Sequence, residues 1–259
     1  MPRVVGCAGA GCEAEMCELC RQKISGAPLA RRHILKFAAA AAAGLALAPR
    51  AEAANPKAPP KPQNVLSPDA ALKRLMEGNA RYVEGVSRRH DFRHEREALS
   101  AGQNPFAAVL SCADSRIAPE YCFDVARGDV FVCRVAGNFA NGDIVASLEY
   151  AVAVLNTPLI VVLGHDSCGA VDAAIKSIKD KTTLPGHLPV LVEALRPAVE
   201  AVQGRPGDVL VNAIRRNVML NVDKLKNEAP ILNAAADAKK IRVVGGVYEL
   251  KTGKVRLVV

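Results

Sequence analysis

Two short stretches of this 259-residue chain concentrate side chains able to do metal chemistry. Ser111-Cys112-Ala113-Asp114-Ser115-Arg116 follows the apolar run Ala107 to Leu110, and Gly164-His165-Asp166-Ser167-Cys168-Gly169 follows Leu159 to Leu163. Thiolate and imidazole suit zinc, and His165-x2-Cys168 is a pair that one short loop can present, with Cys112 as a third ligand from a neighbouring strand end. Three protein ligands leave one position open, which marks a catalytic rather than a closed structural site. Asp114 is near enough to Cys112 to fill that position, or to accept a hydrogen bond from a water there. Arg116 can hold its carboxylate through a bidentate pair. On spacing alone, buried cysteines and a satisfied core histidine remain a competing interpretation.

The elements that must carry these loops follow from hydrophobic period. Ala107 to Leu110, Val130 to Val135 and Leu159 to Leu163 are short apolar runs of the kind that form buried parallel strands. Between and after them the period becomes helical, over Asp143 to Leu155, Cys168 to Ile178, about Asp208 to Asn227 and Ile231 to Lys239. Ser67-Pro68-Asp69 is a helix start, with serine as N-cap and proline at the first helical position, and that helix runs to about Glu84. The charged stretch Arg88 to Glu97 reads as a solvated helix. Pro185 to Gly207 mixes proline breaks with a helical Val190 to Leu195. Ile241 to Leu250 and Val255 to Val259, joined through Thr252-Gly253, read as a terminal hairpin. The β-α alternation predicts an α/β fold with helices on both faces of the sheet, and each metal-loop candidate then lies at the C-terminal end of a strand, where such sheets bind ligands.

Half of the residues are hydrophobic, ample for one core. The formal charge is +8; residues 1–53 hold seven of the 34 Lys/Arg and four of the 26 Asp/Glu, which leaves the remainder at +5. These charges are scattered and aromatics are scarce, so a nucleic-acid surface has no support. A mild positive field suits a small anionic substrate or product. Cys7, Cys12, Cys17 and Cys20 crowd the N-terminus, while Cys112, Cys122, Cys133 and Cys168 lie in the body, too sparse for a disulfide scaffold. The N-terminal four could hold zinc or an iron–sulfur cluster. Cys122 and Cys133 read as buried and inert, with a disulfide between them open if their geometry permits.

Residues 1–53 read as an export signal with a Cys-rich leading part. Arg31-Arg32 precede an apolar stretch, Phe37 to Ala48, too short for a stable membrane span, and Ala51-Glu52-Ala53 offers a cleavage pattern. The segment resembles a twin-arginine signal, which implies recognition by the twin-arginine export machinery and a periplasmic location. Residues 54–66 read as a flexible leader and 67–259 as the functional domain.

Cys112-Ala-Asp114-Ser-Arg116 and Gly164-His165-x-x-Cys168-Gly169 resemble the zinc-site motifs of the β-class carbonic anhydrases. The likeness continues through Gly78-Asn79-Ala80-Arg81, Arg134-Val-Ala-Gly137-Asn138, Ser147-Leu148-Glu149-Tyr150 and Val247-Tyr248-x3-Thr252-Gly253, and so covers residue 66 to the end. The resemblance implies a mainly parallel central β-sheet with an antiparallel edge strand, flanked by helices, in a homodimer or higher homo-oligomer. It implies one Zn2+ per subunit on Cys112, His165 and Cys168, and reversible hydration of CO2 to bicarbonate by attack of zinc-bound hydroxide. Asp114 and Arg116 would form the family's dyad, with Asp114 accepting a hydrogen bond from that hydroxide or, at rest, ligating zinc itself. Gln103 and the Gly169 backbone N–H would contact substrate. His90, His94 and His187 are proton-shuttle candidates by residue type alone. Two other readings share these ligands: a CS2- or COS-hydrolysing enzyme, and a non-catalytic zinc- or bicarbonate-binding protein, against which the Asp114–Arg116 pair argues.

Overall fold

In the computed structural model, which describes residues 65–259, β1 (Ala107–Ser111) and β3 (Leu159–His165) are buried along their whole length. Such strands read as continuous apolar runs because helices cover both faces of the sheet. They stand in the middle of five strands ordered β2-β1-β3-β4-β5, with β2 (Val130–Arg134) on one side and β4 (Arg242–Tyr248) and β5 (Val255–Leu257) on the other. The first four strands are parallel and β5 returns antiparallel on β4, which is the sheet expected. The chain steps from β1 out to β2 and then back past β1 to β3, so its direction of winding reverses between β1 and β3. Open parallel sheets form a crevice at the carboxyl ends of the strands at such a switch point. Cys112 leaves β1 there, and the loop carrying Cys168 leaves β3 beside it. Residues 1–53, read above as an export signal, their four cysteines and the expected leader up to residue 64 lie outside the described residues.

The helices among the described residues are α1 (Pro68–Val83), α2 (Phe92–Leu99), α3 (Pro119–Cys122), α4 (Gly142–Ala153), α5 (Gly169–Asp180), α6 (Leu188–Glu200), α7 (Val209–Asn227) and α8 (Leu232–Asp237). Strand side chains alternate between two layers. Ala107, Val109, Leu159, Val161 and Leu163 meet Ala71, Leu72 and Leu75 of α1. Ala108, Leu110, Ile160 and Val162 meet Leu148 of α4, Val218 and Val222 of α7 and Leu232 of α8. A third apolar cluster, built by α5, α6 and α7, takes in Cys112 and Cys168 themselves. Two elements depart from expectation. α3 is a single turn between Ile117 and Phe123, and α6 runs from Leu188 through Pro197 rather than only Val190 to Leu195. Pro189 fits α6 because it sits at the helix start, where its missing N–H has no partner to lose. Cys122 and Cys133 are free thiols, so the disulfide left open for them does not form. They belong to the apolar layers on opposite faces of the sheet, and the sheet itself stands between them.

The motif Gly78-Asn79-Ala80-Arg81 is structural. A Cβ on Gly78 would lie 1.7 Å from the Phe123 carbonyl oxygen, so only glycine lets α1 approach the turn after α3. Asn79, 3% exposed, donates through Nδ2 to the Cys122 and Gly253 carbonyls, both at 2.8 Å, and accepts the Val255 N–H at 2.8 Å. Arg81 Nε donates to buried Asp124 at 2.6 Å, and the Arg88 N–H adds a bond at 2.9 Å. Burial opposes the charge on Asp124, yet these donors prevail and hold its carboxyl below the usual carboxylate range. Its folded value is therefore lower than its unfolded value of about 4. The stability it contributes is present above that pH and lost as pH falls through the folded value. Arg81→Met is expected to lower stability at neutral pH by about 3 kcal/mol, since it strands a buried charge. It should also flatten the loss of stability as pH falls below about 4. Thermal midpoints measured across pH check both outcomes.

Candidate metal centre

Each donor of the centre is set by the element that ends at it. His165 is the last residue of β3 and is fully buried. Its Nδ1 lies 2.7 Å from the Asp166 carbonyl oxygen, so Nδ1 carries the proton and Nε2 is left as the free lone pair. That Nε2 is buried and has no hydrogen-bond partner, a state that costs stability unless something else binds it. Asp166 is itself fixed, its N–H donating to the Tyr248 carbonyl at 3.0 Å and its Oδ1 accepting the Leu250 N–H at 3.0 Å. Cys168 is the N-cap residue of α5, where the first-turn amides of Val171 and Ala170 favour a thiolate.

Cys112, His165 and Cys168 bring their ligand atoms within 4.8 Å of one another, and the two sulfurs are 4.0 Å apart. Two thiolates on one tetrahedral zinc would sit about 3.8 Å apart, given Zn–S bonds of about 2.3 Å. The donor set therefore fits a zinc ion, and the orphaned His165 Nε2 is the atom that such an ion would satisfy. The Cys168 sulfur holds the Cys112 thiol well below its ordinary range; burial opposes this, and His165 and the Gly137 N–H support it. Cys168 is in turn pushed up by the Cys112 sulfur and by burial. Sulfurs this close compete for one proton, and a divalent cation takes the place of protons on both.

Asp114 and Arg116 stand beside this cluster. Arg116 donates from Nε to Asp114 Oδ1 at 2.9 Å and from an Nη to Oδ2 at 2.6 Å, and its N–H donates to Oδ1 at 2.9 Å. The Arg116 guanidinium thus holds the Asp114 carboxyl far below the usual carboxylate range, with burial opposing. Asp114 Oδ2 is also 3.8 Å from His165 Nε2, so the carboxylate overlooks the donor cluster without being part of it. Arg116 further donates to the Ser167 carbonyl at 3.3 Å, which ties the β1 loop to the β3 loop.

Gly169, the first residue of α5, is exposed, and its amide is one of the first-turn N–H groups without an intrahelical partner. No atom lies within 4 Å of where its Cβ would be, so packing does not require glycine there. Gln103 is placed differently. It is exposed and precedes β1, whereas Cys112 follows it. At about 3.3 Å per residue, the strand between them separates Gln103 from its own centre by roughly 15 Å or more. His187 is exposed at the start of α6, His90 Nδ1 lies 3.2 Å from Glu95, and the His94 side chain is outside the described residues. A surface cavity of about 780 Å3 adjoins Tyr82, His90, Glu120 and Asp124, away from the three donors.

Two residues that stand in the sequence only as motif matches prove to support the centre directly. Arg134 donates from Nε to the Cys112 carbonyl at 3.0 Å and from an Nη to the Asp114 carbonyl at 2.7 Å, bracing the backbone between ligand and carboxylate. The Gly137 N–H donates to the Cys112 sulfur at 3.3 Å. Residue type gave no hint of either role, because both act through or on the backbone.

A family model described as carbonic anhydrase matches residues 107–255, from the start of β1 into β5. The chain is 41% identical over 190 residues to carbonic anhydrase 2 of Mycobacterium tuberculosis, covering 73% of this chain and 91% of that protein. It is 38% identical over 193 residues to the carbonic anhydrase of Mycolicibacterium smegmatis, covering 74% and 93%. Among solved structures it is similar to the β-carbonic anhydrase CcaA, with a TM-score of 0.56 and 28% identity over 72% of this chain and 94% of that one. A tetrameric β-carbonic anhydrase of Sordaria macrospora gives a TM-score of 0.59 and 25% identity over 73% and 97%. The parallel sheet, its switch-point loops and the extent of these matches agree: the chain belongs to the β-class carbonic anhydrases.

Proposed function

We propose that this protein catalyses the reversible hydration of CO2 to bicarbonate and a proton, with one zinc ion per subunit held by Cys112, His165 and Cys168. The observation that carries this reading is the Asp114–Arg116 pair set beside a buried three-donor cluster. Bound there, zinc supplies the Lewis acidity that makes a nucleophile of water near neutral pH. The protein's own groups do the rest. Asp114, kept ionised by Arg116, is an acceptor only, so it orients any hydroxyl group at the open side by taking its hydrogen bond. Arg116 occupies both carboxylate oxygens and keeps Asp114 from closing that side. The Gly169 N–H is a donor for a substrate oxygen. We further propose a homodimer or larger assembly in which the Gln103 amide, at the far end of β1 from its own centre, serves the substrate of a second subunit.

The protein is proposed to be exported by the twin-arginine machinery to the periplasm, on the strength of Arg31-Arg32 and the apolar stretch that follows. Among the described residues no helix is long and apolar enough to cross a membrane. Stopped-flow CO2 hydration by zinc-loaded protein lacking residues 1–53 tests the activity. Rapid hydration is expected. Zinc near one per chain without hydration would indicate a binding protein, and turnover of CS2 in preference to CO2 would indicate the sulfur-substrate reaction.

A further inference from the structure

Three polar residues of α7, Asn217, Asn221 and Lys224, fall on one face of a helix that otherwise packs apolar side chains there. Asn217 and Asn221 are 2% and 7% exposed. Their bonds run in one direction. Asn217 Nδ2 donates to the Gly137 carbonyl at 2.8 Å. Asn221 Nδ2 donates to Asn217 Oδ1 at 3.0 Å and to the Asn217 carbonyl at 2.8 Å. Asn221 Oδ1 accepts the Ala140 N–H at 2.7 Å, and Lys224 Nζ donates to the Ala140 carbonyl at 2.6 Å. With Asn217 Oδ1 taken by Asn221, the amide of Asn217 can only present its donor to Gly137.

The segment held in this way is a turn that passes through the left-handed region. Gly137 has φ +85° and Asn138 φ +40°, consecutive left-handed residues of which the second is not glycine. The turn is closed locally by the Asn138 N–H on the Val135 carbonyl at 2.9 Å, with Gly137 at the position that takes glycine, and the Asn217 amide adds an anchor from outside it. One product of this arrangement is the Gly137 N–H pointed at the Cys112 sulfur. We infer that Asn217, backed by Asn221, is a positioning residue that holds the Gly137 amide on the Cys112 sulfur and thereby sets how firmly Cys112 holds its metal. This rests on the reading of Cys112 as a zinc ligand. Losing a hydrogen bond to a ligand atom typically costs roughly 10- to 100-fold in metal affinity.

The test compares wild type with Asn217→Leu, Asn217→Ala and Asn221→Leu, with Leu225→Ala as control. Leu225 is a fully buried residue of the same helix that packs in the apolar layer and touches none of these bonds. Transfer of zinc from each protein to a chromogenic chelator is expected to be roughly 10- to 100-fold faster in the Asn217 variants. In the cobalt(II)-loaded proteins the sulfur-to-metal charge-transfer band should move to lower energy, because a sulfur relieved of a donor yields electrons more readily. Asn221→Leu should do the same to a smaller extent, and it reads the effect if an Asn217 variant does not fold. Leu225→Ala should lower the thermal midpoint while leaving band and release rate at wild-type values. Wild-type release and band in the asparagine variants, or equal changes in Leu225→Ala, would overturn the inference. Neither readout involves CO2, so a chain that binds metal and hydrates nothing would refute the proposed reaction and leave this result standing.

Discussion

Arg116→Ala is expected to reduce kcat/KM for CO2 hydration by about 10²- to 10³-fold while zinc content stays near one per chain. The reason is geometric. Arg116 provides every side-chain bond that Asp114 makes to a cation, and Asp114 Oδ2 is only 3.8 Å from His165 Nε2. Without the guanidinium, an ionised carboxylate faces a three-donor site with an open position and nothing to restrain it. It closes that position, and the preorganised acceptor is lost at the same time. Removing one such electrostatic group commonly costs about two to three orders of magnitude in rate. X-ray absorption on the zinc-loaded variant should show the outer carbon of a bound carboxylate, with the number of oxygen neighbours unchanged. Arg116→Lys keeps the charge but lacks the planar fork and should recover only part of the rate. Hydration at the wild-type rate in Arg116→Ala would remove the dyad from the mechanism.

His165→Ala should abolish both zinc retention and activity, leaving CO2 hydration at the background rate of the buffer. Two sulfurs 4.0 Å apart remain, but they are only two donors in an apolar cluster, and their charge repulsion grows without a cation between them. Zinc analysis after dialysis and stopped-flow rates check this, with circular dichroism to show that the sheet survives. Exogenous imidazole should restore part of the rate, since the vacated space adjoins a site still lined by Cys112 and Cys168. Full zinc occupancy in this variant would mean that the ion is held elsewhere.

Much of the fold and of the centre was legible in the sequence for identifiable reasons. β1 and β3 are apolar throughout because both faces are covered, and the donors follow immediately after them. The terminal hairpin announced itself through two apolar runs joined at Thr252-Gly253. Other features left no such signal, for equally physical reasons. α3 is four residues long, too short to show a period. Pro197 reads as a break, yet it lies in the last turn of α6 and costs the helix little of its length. Asn217 and Asn221 resemble the solvated side of a helix, because a polar side chain in sequence does not reveal that its partner is a buried turn 80 residues away. Gln103 is nine residues from Cys112 along the chain, but a strand carries those residues in a straight line to the other end of the sheet.

Asn79 grips the Gly253 carbonyl and the Val255 N–H across more than 170 residues, so α1 is fastened by the turn into β5. Until β5 has paired with β4, the clasp has no second half. Closure of the fold therefore waits on contacts between distant parts of the chain, with the slow search that these entail. For a protein proposed to leave the cytoplasm already folded, that slow closure would have to bring the three metal donors together before export.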